Sequence, residues 1–147
     1  CYYDNDTVNG SKLGKLYNWY AVIDSRGLAP VGYHIPSNEE WTMLSEYLGG
    51  ELKAGVKMKS KSGWYDNGIF NNGSGFSGVP GGVRGVHKFS SIGGYGRWWS
   101  STKCGTNSVW FRALLSEGDP HNAWPPDALI TGCDYANTGT SVRCLRD

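Results

Sequence analysis

The segment at residues 37–50 has the sequence SNEEWTMLSEYLGG, which carries the start and stop signals of an α-helix. Ser37 and Glu40 form an S-x-x-E capping box, in which the serine oxygen accepts from a backbone amide and the glutamate reaches back. Gly49-Gly50 supplies the stop signal. Between these signals the apolar side chains recur at i, i+3 and i+7, which are the positions of Trp41, Leu44 and Leu48. We therefore expect an amphipathic helix with Trp41 on its core face.

The flanking segments predict one more short helix and then strands. Residues 16–23 are apolar with helical spacing at 16, 19, 20 and 23, although a strand also fits them, and Gly27 and Pro30 follow closely. After Gly63 the composition favours strands and turns, and the strand candidates are residues 96–102, 108–115 and 138–145. Helices followed by strands and long loops predict a compact α+β domain.

Length and composition exclude several classes of protein. The chain has 147 residues, which is the size of a single domain at residues 1–147. Aromatic residues make up 14% of it, and a disordered chain does not carry that many rings. A net charge of +1 argues against a sequence-independent grip on nucleic acid. Because no run of 18 apolar residues occurs, we also expect no membrane insertion.

The cysteine content indicates disulfide bonds. None of the four cysteines forms a C-x-x-C pair or lies near a histidine at zinc-ligand spacing, which argues against a structural zinc site. An even number in a glycine- and aromatic-rich, weakly charged chain indicates an oxidising compartment. Three pairings are open. We favour Cys104–Cys133, which closes a loop of about 30 residues, with Cys1–Cys144 joining the two ends of the chain.

Residues 116–135 are predicted to form a long loop, because Gly, Asp, Pro, His and Asn dominate their composition. At about 20 residues, such a loop exceeds the usual length and is typically functional. His121 lies near a carboxylate, an amide and an indole, and residues of these types line sugar sites, where indoles stack on sugar faces and polar groups bind hydroxyls. The alternative is that Trp124 folds onto Trp110 and closes the core. The candidate ligand-binding residues are Trp110, Asp119, His121, Asn122, Trp124 and Asp127.

The other chemistry-bearing residues are interpreted as structural. We expect His34, just ahead of the residue 37 helix, to bond to backbone, and His87 to be a solvated turn residue. In any strand, one of Trp98 and Trp99 points inward. Exposure is expected instead for Trp64, Trp110 and Trp124. A solvated face, with docking of an anionic glycan as the alternative, is expected for Lys53, Lys57, Lys59 and Lys61.

Five blocks of the chain carry a family signature: GKLYNWYAV at residues 14–22, GLAPVGYHIPSNEEW at 27–41, VPGGVR at 79–84, WWSST at 98–102 and SVRCLRD at 141–147. In this order, over most of the chain, they resemble the fibrobacter major paralogous domain family. The resemblance implies a C-type-lectin-like fold, as in formylglycine-generating enzymes, with two short helices packed on small twisted antiparallel sheets with long loops. It also implies a secreted or cell-surface bacterial module.

The chain departs from the family pattern at two points. Leu28-Ala29-Pro30 stands where the family commonly has Cys-Pro, which changes the expected disulfide arrangement. Family members commonly carry another strand ahead of the Cys1-Tyr2-Tyr3 block, so we expect this chain to be a fragment or a processed form. Pro125-Pro126-Asp127 matches a lectin calcium motif only in part, and no metal or cofactor is carried over. A structural calcium ion remains an alternative at Asp4-Asn5-Asp6, although three residues fall short of its usual six to eight ligands.

These observations favour a non-catalytic, extracytoplasmic binding or adhesion module. Its expected partner is a glycan, bound through residues 116–135, or a surface protein. The alternative is a structural subunit of a bacterial surface assembly or filament that associates with copies of itself. An enzyme is disfavoured because the chain lacks a Gly-x-Ser-x-Gly elbow and a close cysteine pair, such as formylglycine-generating enzymes need.

Overall fold

The computed structural model describes residues 1–65, 70–116 and 125–147. Its helical elements are a 3-10 turn at Tyr3–Asn5 and the α-helices α1 (Thr7–Leu13), α2 (Trp19–Val22), α3 (Asn38–Tyr47) and α4 (Glu51–Met58). Its strands are β1 (Tyr33–His34), β2 (Gly81–Arg84), β3 (Phe89–Ile92), β4 (Tyr95–Lys103), β5 (Ser108–Leu115), β6 (Leu129–Tyr135) and β7 (Leu145–Arg146). Short helices with small antiparallel sheets confirm the α+β prediction.

The central element is a three-stranded antiparallel sheet with the order β4-β5-β6. The register places Tyr95 opposite Leu115 at one end of the β4–β5 pair, and Leu114 opposite Leu129 in the β5–β6 pair. Strands β2 and β3 form a second antiparallel pair, and β1 pairs with β7. The strands predicted at residues 96–102 and 108–115 are therefore confirmed.

The three-stranded sheet is buried on both faces. Trp98 packs with α3 and α4 residues in one apolar cluster, and Trp99 packs with Trp19 of α2 in another. Adjacent strand residues point to opposite faces, so one inward indole was expected from this pair. The structure buries both, with 2% of Trp98 and 0% of Trp99 exposed. Burial consequently does not alternate but is continuous from Gly96 to Ser100 in β4 and from Arg112 to Leu115 in β5.

Helix α3 begins as predicted. The Glu40 amide donates to Ser37 Oγ at 3.2 Å, and the Ser37 amide donates to Glu40 Oε2 at 2.8 Å, which completes the capping box. The helix ends at Tyr47, and Gly49 and Gly50 both have positive φ. Gly50 is also the N-cap of α4, which the sequence interpretation missed. The glycine pair is thus a turn between two helices and not the end of the helical region.

Two predictions about the C-terminal third were wrong. Residues 129–135 belong to β6 and not to a loop, and the glycine within them fits a packing need, because a Cβ on Gly132 would lie 2.5 Å from the Phe111 ring. Residues 138–145 do not form one strand. Instead they make single bridges to β2, to β4 and to the segment before α2, and the bridging pairs are Tyr17–Thr140, Arg84–Gly139 and Trp98–Ser141.

The expectation of a solvated lysine face was also wrong in part. Lys53 and Lys61 are exposed, whereas Lys59 is 0% exposed. Lys57 donates from Nζ to the Leu48 carbonyl at 2.8 Å, at the end of α3. Trp64, expected to be exposed, is buried in the core cluster. Charge spacing along the chain could not show that the stem of Lys59 enters an aromatic pocket.

Candidate functional site

The predicted disulfide is present at one end of the three-stranded sheet. Cys104, in the turn between β4 and β5, is bonded to Cys133 of β6, with their Cα atoms 6.4 Å apart. The Cys104 amide also donates to the Ser108 carbonyl at 3.0 Å, which closes the turn. The bond therefore ties the β4–β5 turn to the neighbouring strand.

The predicted pairing of Cys1 with Cys144 is wrong. Both thiols are free and exposed among the residues that the structure describes. The backbone of Cys1 is held by Leu16, while Cys144 lines a cavity with Trp41 and Phe76. Burial raises the pKa of the Cys144 thiol. The two ends of the chain are thus fixed by separate contacts.

Both ends of the 116–135 segment are anchored on the scaffold. At its start, Ser116 is buried and its amide donates to the Gly94 carbonyl at 2.8 Å. At its return, the Pro126 carbonyl accepts from Lys59 Nζ at 2.6 Å and the Asp127 carbonyl accepts from the Gly55 amide at 2.8 Å. The chain then enters β6. The segment therefore leaves the scaffold and rejoins it at fixed points.

Lys59 provides the least expected of these anchors. Its ammonium lies 4.2 Å from the centre of the Phe70 ring and 5.1 Å from that of Trp64. Ring faces attract a cation, and the attraction is strongest where water is excluded. The aromatic pair also packs edge to face with centroids 6.3 Å apart. The buried ammonium of Lys59 therefore lies next to the point where the 116–135 segment rejoins the scaffold, and it donates to the Pro126 carbonyl.

The close packing of α4 against residues 126–128 explains why residue 55 is a glycine. A Cβ on Gly55 would lie 2.6 Å from the Asp127 carbonyl oxygen, closer than real Cβ contacts allow. Next to it, Ala128 and Leu129 are buried. On the same side, Thr131 Oγ1 donates to Glu51 Oε1, which joins β6 to the start of α4. No motif in the sequence indicated this docking.

The structure does not gather the predicted ligand-binding residues into one site. Asp127 is exposed at the return of the segment, and Trp110 is half-buried in β5 opposite Cys133. Cys133 and Leu129 are four positions apart on β6, or roughly 13 Å at the usual rise of a strand, and Asp127 lies beyond Leu129. Trp110 is therefore remote from Asp127. The remaining candidates lie outside the described residues, and they are Asp119, His121, Asn122 and Trp124.

Two buried arginines of the sheet were missed by the sequence analysis. Arg112 is 1% exposed and donates to Asn38 Oδ1 at 2.9 Å and to Thr42 Oγ1 at 3.0 Å, which binds β5 to the first turn of α3. Desolvation lowers the pKa of its guanidinium. On the other face, Arg97 pairs with Asp134 at 2.7 Å and stacks 3.6 Å from the centre of the Phe111 ring. These contacts give both cations structural roles.

His34 was expected to bond to backbone groups, but its partners are two carboxylates. Nδ1 lies 2.6 Å from Asp147 Oδ1 and Nε2 lies 2.8 Å from Glu40 Oε1. Hydrogen bonds to Asp147 and then Glu40 raise the pKa of the imidazole. The pKa of Glu40 is lowered, chiefly by the Ser37 amide. The imidazole therefore joins the α3 cap to the residue after β7. His87 is exposed in its turn, as expected.

One cavity was not indicated by the sequence analysis. It has a volume of about 380 Å³ and opens between α1 and the segment after Ser141. Arg143 lines it and also lines a neighbouring cavity of about 270 Å³. Within the described ranges, no group of three or more His, Cys, Asp and Glu side chains is arranged to hold a metal ion. Calcium binding at Asp4-Asn5-Asp6 stays an untested alternative, and Asp6 there caps α1 by accepting from the Val8 amide at 2.8 Å.

These features define a disulfide-bonded α+β domain with a sheet covered on both faces. Comparison with protein families matches residues 1–146 to the Fibrobacter succinogenes major domain, so the chain belongs to this bacterial family. The expectation from the five sequence blocks is thereby confirmed. The comparisons found no match among curated proteins and none among solved structures. Across the three described ranges, no helix has the length and apolar character needed to cross a bilayer.

Proposed function

We propose that this domain is a non-catalytic, extracytoplasmic binding or adhesion module with a C-type-lectin-like scaffold. Its recognition segment runs from Ser116 to the return at Pro125-Pro126-Asp127, and its ligand is a carbohydrate. This revises the 116–135 boundaries, because residues 129–135 form β6. A surface protein is the second class of partner that we propose.

The anchoring of both segment ends carries the proposal. Ser116 and Pro126 are held by Gly94 and by the buried ammonium of Lys59. Binding residues commonly lie on connecting segments that a rigid scaffold positions. A scaffold fixed in this way tolerates sequence change between the anchors. The candidate residues between them are of the types that contact sugars.

The disulfide supports the extracytoplasmic part of the proposal. Disulfides persist in oxidising compartments and are rare in the reducing cytosol. Cys104–Cys133 joins the β4–β5 turn to β6, whose pairing with β5 is continuous from Leu129 to Tyr135. This chemistry supports cell-surface or secreted placement.

A glycan array probed with the wild-type domain and with Trp124→Ala tests the proposal. An indole supplies a large contact area, and tryptophan is enriched among binding hot spots, so the variant should lose most of the signal. Tyr20→Ala is the control, because Tyr20 is an exposed aromatic on α2, which packs on the opposite face of the sheet from α4. Equal signals from wild type and Trp124→Ala would contradict the proposal. Absence of glycan binding together with large assemblies in light scattering would favour the structural-subunit alternative.

A further inference from the structure

We infer that the cavity of about 380 Å³ between α1 and the Ser141–Arg143 segment is a second binding site, which takes the carboxylate of an acidic saccharide such as a uronate. The inference does not rest on the recognition segment, because none of the described lining residues lies between positions 116 and 135. The cavity volume falls within the range of small-molecule sites, about 300–1,000 Å³.

The charge of the cavity lining is the first argument. Lys12, Lys15 and Arg143 line the cavity, and no described lining residue is acidic. None of the three forms an ion pair with a described residue. The whole chain carries a net charge of only +1, so this concentration of positive charge is local. A concave surface lined by one sign of charge focuses its field and raises the local concentration of oppositely charged ligands.

Arg143 lines both this cavity and the neighbouring one of about 270 Å³. Its Nη2 donates to the Ser77 carbonyl at 3.0 Å, and its guanidinium lies 5.0 Å from the centre of the Phe76 ring. These contacts fix the orientation of the side chain while using one of its five donors. Arg143 is half-buried, and this desolvation lowers the pKa of its guanidinium. An anion that bonds to the remaining donors would therefore replace missing solvation, and a carboxylate can do so through two parallel bonds.

The rest of the wall suits a sugar ring better than a bare anion. Hydroxyl groups are supplied by Tyr17 and Ser141. Apolar surface beside the cations comes from Leu13, Val79, Trp98 and Val142. An inorganic anion would leave that surface uncovered. A saccharide acid places its carboxylate on the cations, its hydroxyls on the polar groups and its C–H faces on the apolar wall.

Calorimetric titration with trigalacturonate and with its neutral methyl ester tests the inference. Wild type should bind the acid, and the ester should bind at least roughly tenfold more weakly, as expected for lost charge-assisted contacts. The Lys12→Gln/Lys15→Gln double variant removes two exposed cations and should weaken acid binding by a similar factor. Lys53→Gln is the matched control, since Lys53 is an exposed cation on α4 outside this cavity. Arg143→Gln should abolish binding, and its thermal melt reports whether it folds.

Three results would overturn the inference. The first is a wild-type domain that binds neither probe at millimolar concentration. The second is equal binding of acid and ester. The third is a loss in Lys53→Gln as large as in the double variant, which would indicate diffuse electrostatic attraction. The recognition segment is tested separately, because acid binding that survives the double variant but is lost in Trp124→Ala would move the acidic ligand to that segment.

Discussion

Lys59 is buried, although the charged residues around it in the sequence predict an exposed side chain. It lies among other lysines, and their spacing predicted a solvated face. In the structure its ammonium sits against Phe70 and Trp64 and bonds to the Pro126 carbonyl. Trp64 and Phe70 lie five and eleven positions further along the chain, and the carbonyl is 67 positions away. Such a pocket depends on tertiary packing, which local charge patterns do not report.

Truncation of Lys59 should destabilise the domain. Lys59→Ala removes the buried stem and the cation, and we expect it to lower the free energy of unfolding by about 3 kcal/mol. Lys59→Met keeps the stem and removes the donor to Pro126, so its loss should be smaller, about 1 kcal/mol. Urea unfolding of both variants checks this. Lys61→Ala, at an exposed lysine, is the control, and equal stability of the two alanine variants would contradict the anchor role.

His34 should make stability depend on pH. Its pKa is raised in the folded state by Asp147 and Glu40, so folding favours the protonated imidazole. The contribution is therefore fully present below the unfolded pKa, about 6.5, and is lost as the pH rises through the higher folded value. The stability difference between wild type and His34→Gln, measured by urea unfolding at about pH 6 and about pH 9, should shrink at the higher pH.

Asp147→Asn provides the second arm of this experiment. It keeps the shape of the side chain and replaces the carboxylate whose hydrogen bond contributes most to raising the pKa of His34. The pH dependence of its stability should be weaker than in wild type over the same range. A wild-type stability advantage that stays constant from about pH 6 to about pH 9 would show that His34 carries no linked proton.

At the scale of elements, locally encoded features were predictable and glycine-dependent ones were not. The α3 cap needs only Ser37 and Glu40, which lie within four consecutive positions, and the structure contains this cap. Helix α4 was missed because Gly50 precedes it, and β6 was missed because Gly132 lies within it. Those glycines meet needs that arise only in the fold, such as the close approach of the Phe111 ring to Gly132.

Removal of the α3 cap should have a measurable cost. Ser37→Ala deletes the oxygen that accepts from the Glu40 amide, and we expect a loss of about 1 kcal/mol. For a domain of this length, that corresponds to a fall of a few degrees in Tm. Calorimetric melting checks the value. Ser62→Ala, at an exposed serine, should change stability by less than about 0.5 kcal/mol, and a matching small change for Ser37→Ala would mean that the cap contributes nothing.

At the scale of the whole molecule, the sequence predicted the fold class, the family and one disulfide. The family followed from five blocks in a fixed order, and the match to residues 1–146 confirms it. The candidate site was less predictable. Trp110 and Asp127 are apart because β6 separates them, and the composition of residues 129–135 predicted a loop in place of this strand. The basic cavity has lining residues from distant parts of the chain, Lys12 to Arg143, and no local motif joins them.

The disulfide should support the stability of the whole domain. Thiol counting in denatured, unreduced protein should find two free thiols, those of Cys1 and Cys144. Cys104→Ser/Cys133→Ser should lose about 3–4 kcal/mol on the chain-entropy model for a loop of this length. Cys144→Ser is the control, since it removes a free thiol. Four free thiols, or a double variant as stable as the control, would contradict the disulfide and the oxidising compartment inferred from it.

The central claim is that a rigid scaffold presents a recognition segment between Ser116 and Pro125. The most direct test combines the binding and the thermal melt of Trp124→Ala with those of wild type. We predict that the variant loses most of its glycan signal while its free energy of unfolding stays within about 0.5 kcal/mol of wild type. Unchanged binding, or a stability loss of about 3–5 kcal/mol as for a tryptophan of the core, would contradict the claim.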